Sequence, residues 1–365
     1  MDSIKNALNN LKEAHLYRER KQVGSLSTFP TVMVNGRSVL HFGSNNYLGF
    51  SRDHDATNIA EYDVQESSPL ISGYTDSHAL LESRLASLKS QHSALLFSSG
   101  FLANLATLTT LAGTNDLLLI DKMSHASLME ATRYREISFR TFPHRNTLYA
   151  EKLLKSHRAK YDQVYLVSDS LFSMEGDEAS LEELLYLAKT YDAYLVLDDA
   201  HAIGVYGEQG EGLATADRLG NFEKLIITGT LSKALASYGG FIAASESVID
   251  FLVNKAKPYI FNTALPQVHV VTALTHLEAI ATTQPQKQLW NNIRIFNELL
   301  GRISYPACSP IIPISCSSNE YALQLSENLF EKGFFVPAIR YPSVPRQKPM
   351  LRVSLSAAHT SDHLY

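Results

Sequence analysis

Two strand ends carry the residues of this chain best suited to chemistry. In Tyr194-Leu195-Val196-Leu197-Asp198-Asp199-Ala200-His201, an apolar run delivers two carboxylates and a histidine at its end. In Leu225-Ile226-Ile227-Thr228-Gly229-Thr230-Leu231-Ser232-Lys233, a second apolar run ends in small hydroxyl residues and one lysine. Taken alone, Asp198 could simply cap the following turn. Asp-x-x-His spacing also suits metal ligands, but no other compact His/Asp cluster supplies the remaining positions, so no metal is expected. A lone lysine is ordinarily a solvated surface residue. Lys233, however, stands among small residues and glycines up to Tyr238-Gly239-Gly240, a setting that lets a cofactor approach the backbone. Burial would lower its pKa, as amine nucleophiles require.

Two further segments fit the same picture. Phe97-Ser98-Ser99-Gly100-Phe101 reads as a strand-to-helix turn, whose free amides can bind phosphate. His125, in Met123-Ser124-His125-Ala126-Ser127, follows a strand, where an isolated histidine is more often structural than functional. The chain has neither GxxxxGK[ST] nor a strand-linked GxGxxG, which argues against a nucleoside triphosphate or a nicotinamide dinucleotide.

The elements that must position these residues alternate. Helix 78–91, strand 94–97, helix 102–111, strand 116–120, strand 163–168, helix 181–191 and strands 193–198, 224–228 and 239–244 predict a mostly parallel sheet covered by helices. Helices are predicted over 248–257 and 267–300. From about residue 307 the pattern returns to strand, helix (320–332) and strand, a smaller α+β unit. An amphipathic helix is predicted over 1–22, and Asn35-Gly36 between apolar runs predicts a hairpin over 31–42. The expected division is an N-terminal segment 1–45, a large domain 46–285 and a small domain 286–365.

Composition excludes several classes. The net charge of −5 has no basic block to suit nucleic acid or an anionic membrane. Two cysteines, Cys308 and Cys316, make no disulfide framework and no CxxC zinc pair. The apolar stretch 94–113 is interrupted by Ser98, Ser99, Gly100 and Asn104, unlike a membrane span. The N-terminus lacks the apolar core of a signal peptide, so the expected compartment is the cytoplasm.

The order phosphate turn, histidine, strand-end Asp with a nearby His, strand-end Lys resembles the fold-type I pyridoxal 5′-phosphate (PLP) enzymes. Ser44-Asn45-Asn46-Tyr47-Leu48-Gly49, Ser124-His125-Ala126-Ser127, Phe172-Ser173-Met174-Glu175-Gly176-Asp177, Asp198-Asp199-Ala200-His201, Gly207-Glu208-Gln209-Gly210-Glu211-Gly212 and Leu351-Arg352-Val353-Ser354-Leu355-Ser356-Ala357-Ala358-His359 resemble motifs of the α-oxoamine synthases among them. The likeness covers essentially the whole chain.

That resemblance implies an α/β transferase fold and a role for each residue. Lys233 would hold PLP as a Schiff base and move the substrate Cα proton. Asp198 would pair with the pyridine nitrogen, and His125 would stack on the ring. His201 and Ser173 would lie near its phenolic oxygen. Ser99, Gly100, Phe101 and Thr230 would contact the phosphate, with Thr263 supplied by the neighbouring subunit of a homodimer. Arg352 would clamp the amino-acid carboxylate, with Asn45 and Arg18 near the substrates.

The implied reaction is an acyl transfer: decarboxylative condensation of an amino acid with an acyl thioester. The Asp-Asp-Ala-His and Ser-Ala-Ala-His forms favour L-alanine and a pimeloyl thioester, on coenzyme A or acyl carrier protein. The product would be 8-amino-7-oxononanoate, a biotin precursor. Other amino acids or acyl thioesters, and a non-catalytic relative, are the alternatives. The sequence departs from the family pattern at the short, glycine-free loop 63–70, at Asp169 where glutamate is usual, and at Ala202 and Ser232 where glycine is common. It also stops at Tyr365, where relatives run on into a terminal helix.

Overall fold

The structure, a computed structural model, describes residues 2–24, 29–50, 67–134, 136–301 and 308–365. Residues 63–66 of the glycine-free loop lie outside that description. The described residues fall into two compact units. The larger takes in those up to Phe172 beyond residue 51, and Asp177–Gln286; the smaller takes in the N-terminal residues, Ser173–Gly176 and Lys287–Tyr365.

The larger unit is built on a seven-stranded sheet in the order Ser93–Phe97, Gly240–Ala244, Leu225–Thr230, Tyr194–Asp198, Val164–Asp169, Leu117–Asp121, Ser138–Phe142. Gly240–Ala244 runs antiparallel to both neighbours, and the other adjacent pairs are parallel. Leu117–Asp121, Val164–Asp169, Leu225–Thr230 and Gly240–Ala244 are buried at every residue. Strands covered on both faces need continuous apolar runs rather than alternation, and the sequence has them. The edge strand Ser138–Phe142 is half exposed and polar, Ser-Phe-Arg-Thr-Phe, and so carries no such run. The sequence reading therefore lacks it.

Parallel pairing aligns the strand ends. Asp169 is in register with Asp198, and Asp198 with Thr228. Asp121, Asp169, Asp198 and Thr230 each close a strand. The carboxyl edge of the sheet is thus lined with polar side chains, the place where ligands bind in open α/β sheets.

Helix boundaries follow local chemistry. Helix Gly100–Leu111 starts at Ser99, whose Oγ accepts from Leu102 N at 3.2 Å, and packs on Gly240–Ala244 and Leu225–Thr230. The predicted helix 267–300 is two helices, Gln267–Thr283 and Pro285–Leu300. Gln284 breaks it in a left-handed conformation (φ 51°), and Pro285 disfavours α geometry at the residue before it. The N-terminal helix ends at Glu13 rather than near residue 22, and His15 then turns the chain at φ 53°.

The smaller unit holds two sheets. One orders Val23–Gly24, Thr31–Val34, Arg37–His41, Phe334–Phe335 and the other Ile311–Ser315, Met350–Ser354, Ala338–Ile339. The hairpin predicted at Asn35-Gly36 forms, with Val34 opposite Arg37. Two of the quoted motifs form a clasp here. Gly49 has φ 70°, and a Cβ on it would come 2.6 Å from Ala358 Cβ. Ala357 N donates to Tyr47 O at 2.8 Å, and Ser356 Oγ to Asn46 O at 2.8 Å. His359 is stacked on Phe42 at 4.4 Å, and its Nδ1 accepts from Ser356 N at 2.9 Å. Burial pushes it down to about 4, so it packs as a neutral ring.

Candidate active site

The carboxylate of Asp198 is buried and fixed at both oxygens. Its Oδ2 accepts from Asn104 Nδ2 at 2.6 Å and its Oδ1 from Ala200 N at 2.9 Å. Asn104, in the helix that follows the phosphate turn, is the hub. Its Nδ2 also reaches Ser127 Oγ at 2.9 Å, and its Oδ1 accepts from Thr228 Oγ1 at 2.5 Å. A carboxylate only accepts, so the amide nitrogen must face Asp198, which fixes the Asn104 orientation.

The network continues to His125. Its Nδ1 lies 2.7 Å from Ser127 Oγ and 3.3 Å from Ser127 N. A backbone N–H can only donate, so Nδ1 is the acceptor and the ring proton of the neutral form sits on Nε2. Burial pushes the His125 pKa down; the Asp198 charge opposes this and the Lys233 charge reinforces it. His125 Nδ1 is therefore held by Ser127, while the ring feels both Asp198 and Lys233. Its backbone N donates to Asp169 Oδ1 at 3.0 Å.

Asp169 is fully buried beside Asp198. Burial first, and the Asp198 charge next, push its carboxyl well above the usual range. Two adjacent carboxylates at one sheet edge cannot both ionise cheaply. Asp198, with its Asn104 and Ala200 donors, is the one suited to carry the charge.

Lys233 sits in the turn after Leu225–Thr230. Leu231 N donates to Gly239 O at 3.0 Å, and Ser237 N to Leu231 O at 2.9 Å. Thr230 Oγ1 is 2.8 Å from Ser232 Oγ and donates to Gly239 O at 2.9 Å. Ser232, at the position where the family pattern has glycine, uses its hydroxyl there.

The phosphate turn is packed against this segment. A Cβ on Gly240 would lie 2.4 Å from Gly100 N, and one on Gly100 would lie 3.1 Å from Thr230 Cβ. Glycine at both positions seats the start of helix Gly100–Leu111 against the strand ending at Thr230. This cradle of free amides and a hydroxyl suits a phosphate group. Phe101 meets His125 edge-on, ring centroids 6.4 Å apart. His201 is buried in the turn after Asp198. Thr263 lines a small pocket with Ser98, Asn262, Tyr74 and His78.

The large unit thus brings together Asp198, His125, Lys233, Ser99, Gly100, Phe101 and Thr230. In the small unit, Arg352 is buried, with Nε to Ser173 O at 2.7 Å, Nη1 to Ser354 Oγ at 2.7 Å and Nη2 to Tyr47 OH at 3.1 Å. Tyr47 OH donates in turn to Asn45 Oδ1 at 3.1 Å. A guanidinium has five N–H donors, so one remains on each terminal nitrogen, enough for a carboxylate. Arg18 donates instead to Tyr341 O at 2.8 Å.

Sequence reading missed Asn104, Ser127 and Thr228. It also missed Lys89, whose buried ammonium reaches Asp199 Oδ2 at 2.5 Å and the Glu211 carbonyl. Asp199 therefore serves the framework beside Asp198. Gly212 allows this, since a Cβ there would lie 2.0 Å from Asp199 Oδ2.

The chain belongs to the aminotransferase class I and II family, whose model matches residues 37–364. Within it, the chain is 40% identical to the 8-amino-7-oxononanoate synthase of Hydrogenovibrio crunogenus, over 100% of this chain and 95% of that protein. A solved serine palmitoyltransferase with PLP has the same fold (TM-score 0.90, 25% identity, 100% of this chain and 94% of that one). So does the 8-amino-7-oxononanoate synthase of Francisella tularensis (TM-score 0.74, 27% identity, 89% of this chain and 94% of that one). The fold is thus the expected fold-type I transferase. Among the described residues, no helix is long and apolar enough to cross a membrane.

Proposed function

We propose that this protein uses PLP to condense L-alanine with a pimeloyl thioester, releasing carbon dioxide and the thiol and forming 8-amino-7-oxononanoate. The observation that carries the reading is the Asp198–Asn104–Ser127–His125 network, with Lys233 felt at its histidine, beside a glycine-lined phosphate cradle. The named relatives share this reaction class. When bound, PLP supplies an electron sink for charge developing at the amino-acid Cα.

The residues present fit that group. Asp198, whose carboxylate accepts from Asn104 Nδ2 and Ala200 N, would pair with the ring nitrogen and keep it protonated. The amides at the start of helix Gly100–Leu111 would hold the phosphate, and Thr230 would join them by turning its hydroxyl from Gly239 O. Neutral His125 offers a flat face whose orientation Ser127 fixes. Lys233 would be the attachment point, and its amine would take the Cα proton and return it. Arg352 would take the amino-acid carboxylate, with Ser173, Tyr47 and Ser354 fixing its fork. His201 and Ser173 would serve the phenolic oxygen, and Asn45 and Arg18 would flank the substrates. Thr263 would complete the phosphate site of a second copy. The exposed Leu70, Ile71 and Phe261 support a homodimer, since a partner would remove them from water. The cytoplasm is the compartment where its thioester substrates would be met.

The reaction is tested by thiol release. With PLP and pimeloyl-CoA, release should depend on added L-alanine, and glycine or serine should substitute poorly. Thiol release independent of any amino acid would indicate hydrolysis and refute the reading.

Three substitutions follow from the site. Asp169→Asn preserves both the acceptor for His125 N and a donor where the protonated acid has one. It should change turnover by less than about 1 kcal/mol, whereas Asp198→Asn should strip the site of its anion and cost far more. Equal losses in the two, measured as kcat/KM at neutral pH, would show Asp169 ionised and contradict the assignment. Arg352→Lys keeps the charge but loses the fork. It should weaken alanine by about 1.5–3 kcal/mol, seen as a raised KM with the melting temperature recorded alongside. An unchanged alanine KM would remove Arg352 from the substrate site.

A further inference from the structure

The large unit also gathers the side chains of His144, Asp121, Asp177 and Arg145. His144 stands between two carboxylates, with Nδ1 3.2 Å from Asp121 Oδ1 and Nε2 3.1 Å from Asp177 Oδ2. Its ring meets Phe172 edge-on, centroids 4.3 Å apart. Arg145 closes the cluster: its backbone N donates to Asp121 Oδ2 at 2.7 Å and its Nη1 to Asp177 Oδ2 at 3.0 Å.

Both acids belong to segments that carry a site residue, Asp121 through its carboxylate and Asp177 through its backbone carbonyl. Asp121 closes its strand and receives Met123 N at Oδ1 (2.8 Å), and its carbonyl receives Ser124 N at 3.0 Å. That turn presents His125. Phe172 and Asp177 are joined by a backbone bond, Phe172 N to Asp177 O at 2.9 Å, and Ala179 N donates to Ser170 O at 2.9 Å. They form the neck of the loop whose tip, Ser173–Gly176, carries the carbonyl that Arg352 Nε uses.

We propose that His144, by bridging Asp121 and Asp177, is a positioning residue that fixes the turn carrying His125 and the neck of the loop carrying Ser173. The role deepens the function proposed above and rests on it only for its kinetic readout. A carboxylate offers no proton, so both ring nitrogens of His144 must be N–H donors, and the ring must be cationic. Burial alone would lower the imidazole pKa, but hydrogen bonds and charges of Asp121 and Asp177 raise it to about 9. The groups facing the ring are those two carboxylates and Phe172, with Arg145 competing for Asp177. The His144 pKa is raised above its unfolded value, so the brace is intact below that value and is lost as pH rises through about 9.

The test compares wild type with His144→Gln and His144→Phe. At neutral pH both variants should raise the KM for L-alanine by about tenfold or more, the scale of a misplaced positioning group, with kcat less affected. The ratio of variant to wild-type KM should shrink toward one above about pH 9. Two readouts do not need turnover. The His144 ring nitrogens should both carry protons at pH 7 by nitrogen NMR. Amide exchange should quicken at 122–125 and 172–178 in the variants, and not in helix Thr147–His157. Should wild type fail to use alanine, the function falls, and these two readouts still decide the brace. A neutral His144 at pH 7, or unchanged exchange in both variants, would overturn it.

Discussion

Lys233→Ala should abolish turnover, by at least about 10³-fold, because in the proposed function it would remove both the cofactor's attachment point and the base. The variant should nonetheless fold. The turn around Lys233 is held by backbone and threonine hydrogen bonds, Leu231 N to Gly239 O, Ser237 N to Leu231 O and Thr230 Oγ1 to Gly239 O. Ala236 N donates to the Lys233 carbonyl, which alanine keeps. Borohydride reduction followed by peptide mass spectrometry should find PLP on the peptide containing residue 233 in wild type and nowhere in the variant. A second consequence is electrostatic. The Lys233 charge depresses the His125 pKa, so the variant should titrate His125 at higher pH. A reducible PLP adduct at another lysine, with turnover retained, would contradict the assignment.

Lys89→Met should destabilise the large unit by about 3–5 kcal/mol, the cost of leaving a buried charge without its partner. The side chains of Lys89 and Asp199 are both 0% exposed. Asp199 would keep Ser170 Oγ (2.5 Å) and Ala214 N (3.0 Å), neutral donors that do not balance a carboxylate. Lys89 also ties down the chain on the other side, since Ala216 N donates to its carbonyl at 2.9 Å. Because Asp199 adjoins Asp198, cofactor affinity should fall in step with stability. The double variant Lys89→Met/Asp199→Asn removes both charges and should recover part of the loss. Denaturant midpoints for the three proteins measure this. A Lys89→Met cost below about 1 kcal/mol would show that the pair contributes little.

Much of this site is legible in the sequence, for a physical reason. Parallel strands buried on both faces are apolar runs, so the first polar residue after each run marks the carboxyl edge where ligands sit. Asp198 announces itself that way, while Thr230 and Lys233 stand a few residues beyond the end of the run Leu225-Ile226-Ile227. Asn104 does not. It lies in Gly-Phe-Leu-Ala-Asn-Leu-Ala-Thr-Leu-Thr-Thr-Leu, where a single amide in an apolar helix carries no spacing signal. Lys89 is hidden for the opposite reason: a lysine at a helix end ordinarily reads as solvated, and only the tertiary fold places Asp199 against it. The glycine-rich 207–212 segment was legible as a motif but not as a lid over that ion pair, which needs the position of Gly212. Likewise His144 looks like one more turn residue until a strand end and a distant loop neck bring Asp121 and Asp177 to its two nitrogens. The edge strand Ser138–Phe142 escaped because one exposed face removes the apolar run that marks its neighbours.

The central claim is that this site joins L-alanine to a pimeloyl thioester, and product identification tests it most directly. Purified protein with PLP, L-alanine and pimeloyl-CoA, or the pimeloyl carrier protein in a parallel reaction, would be analysed by mass spectrometry. 8-Amino-7-oxononanoate should appear in at least one reaction, dependent on alanine and absent with Lys233→Ala. Absence of that product from both, with PLP bound and its absorbance responding to amino acids, would contradict the substrate assignment and leave the cofactor site standing.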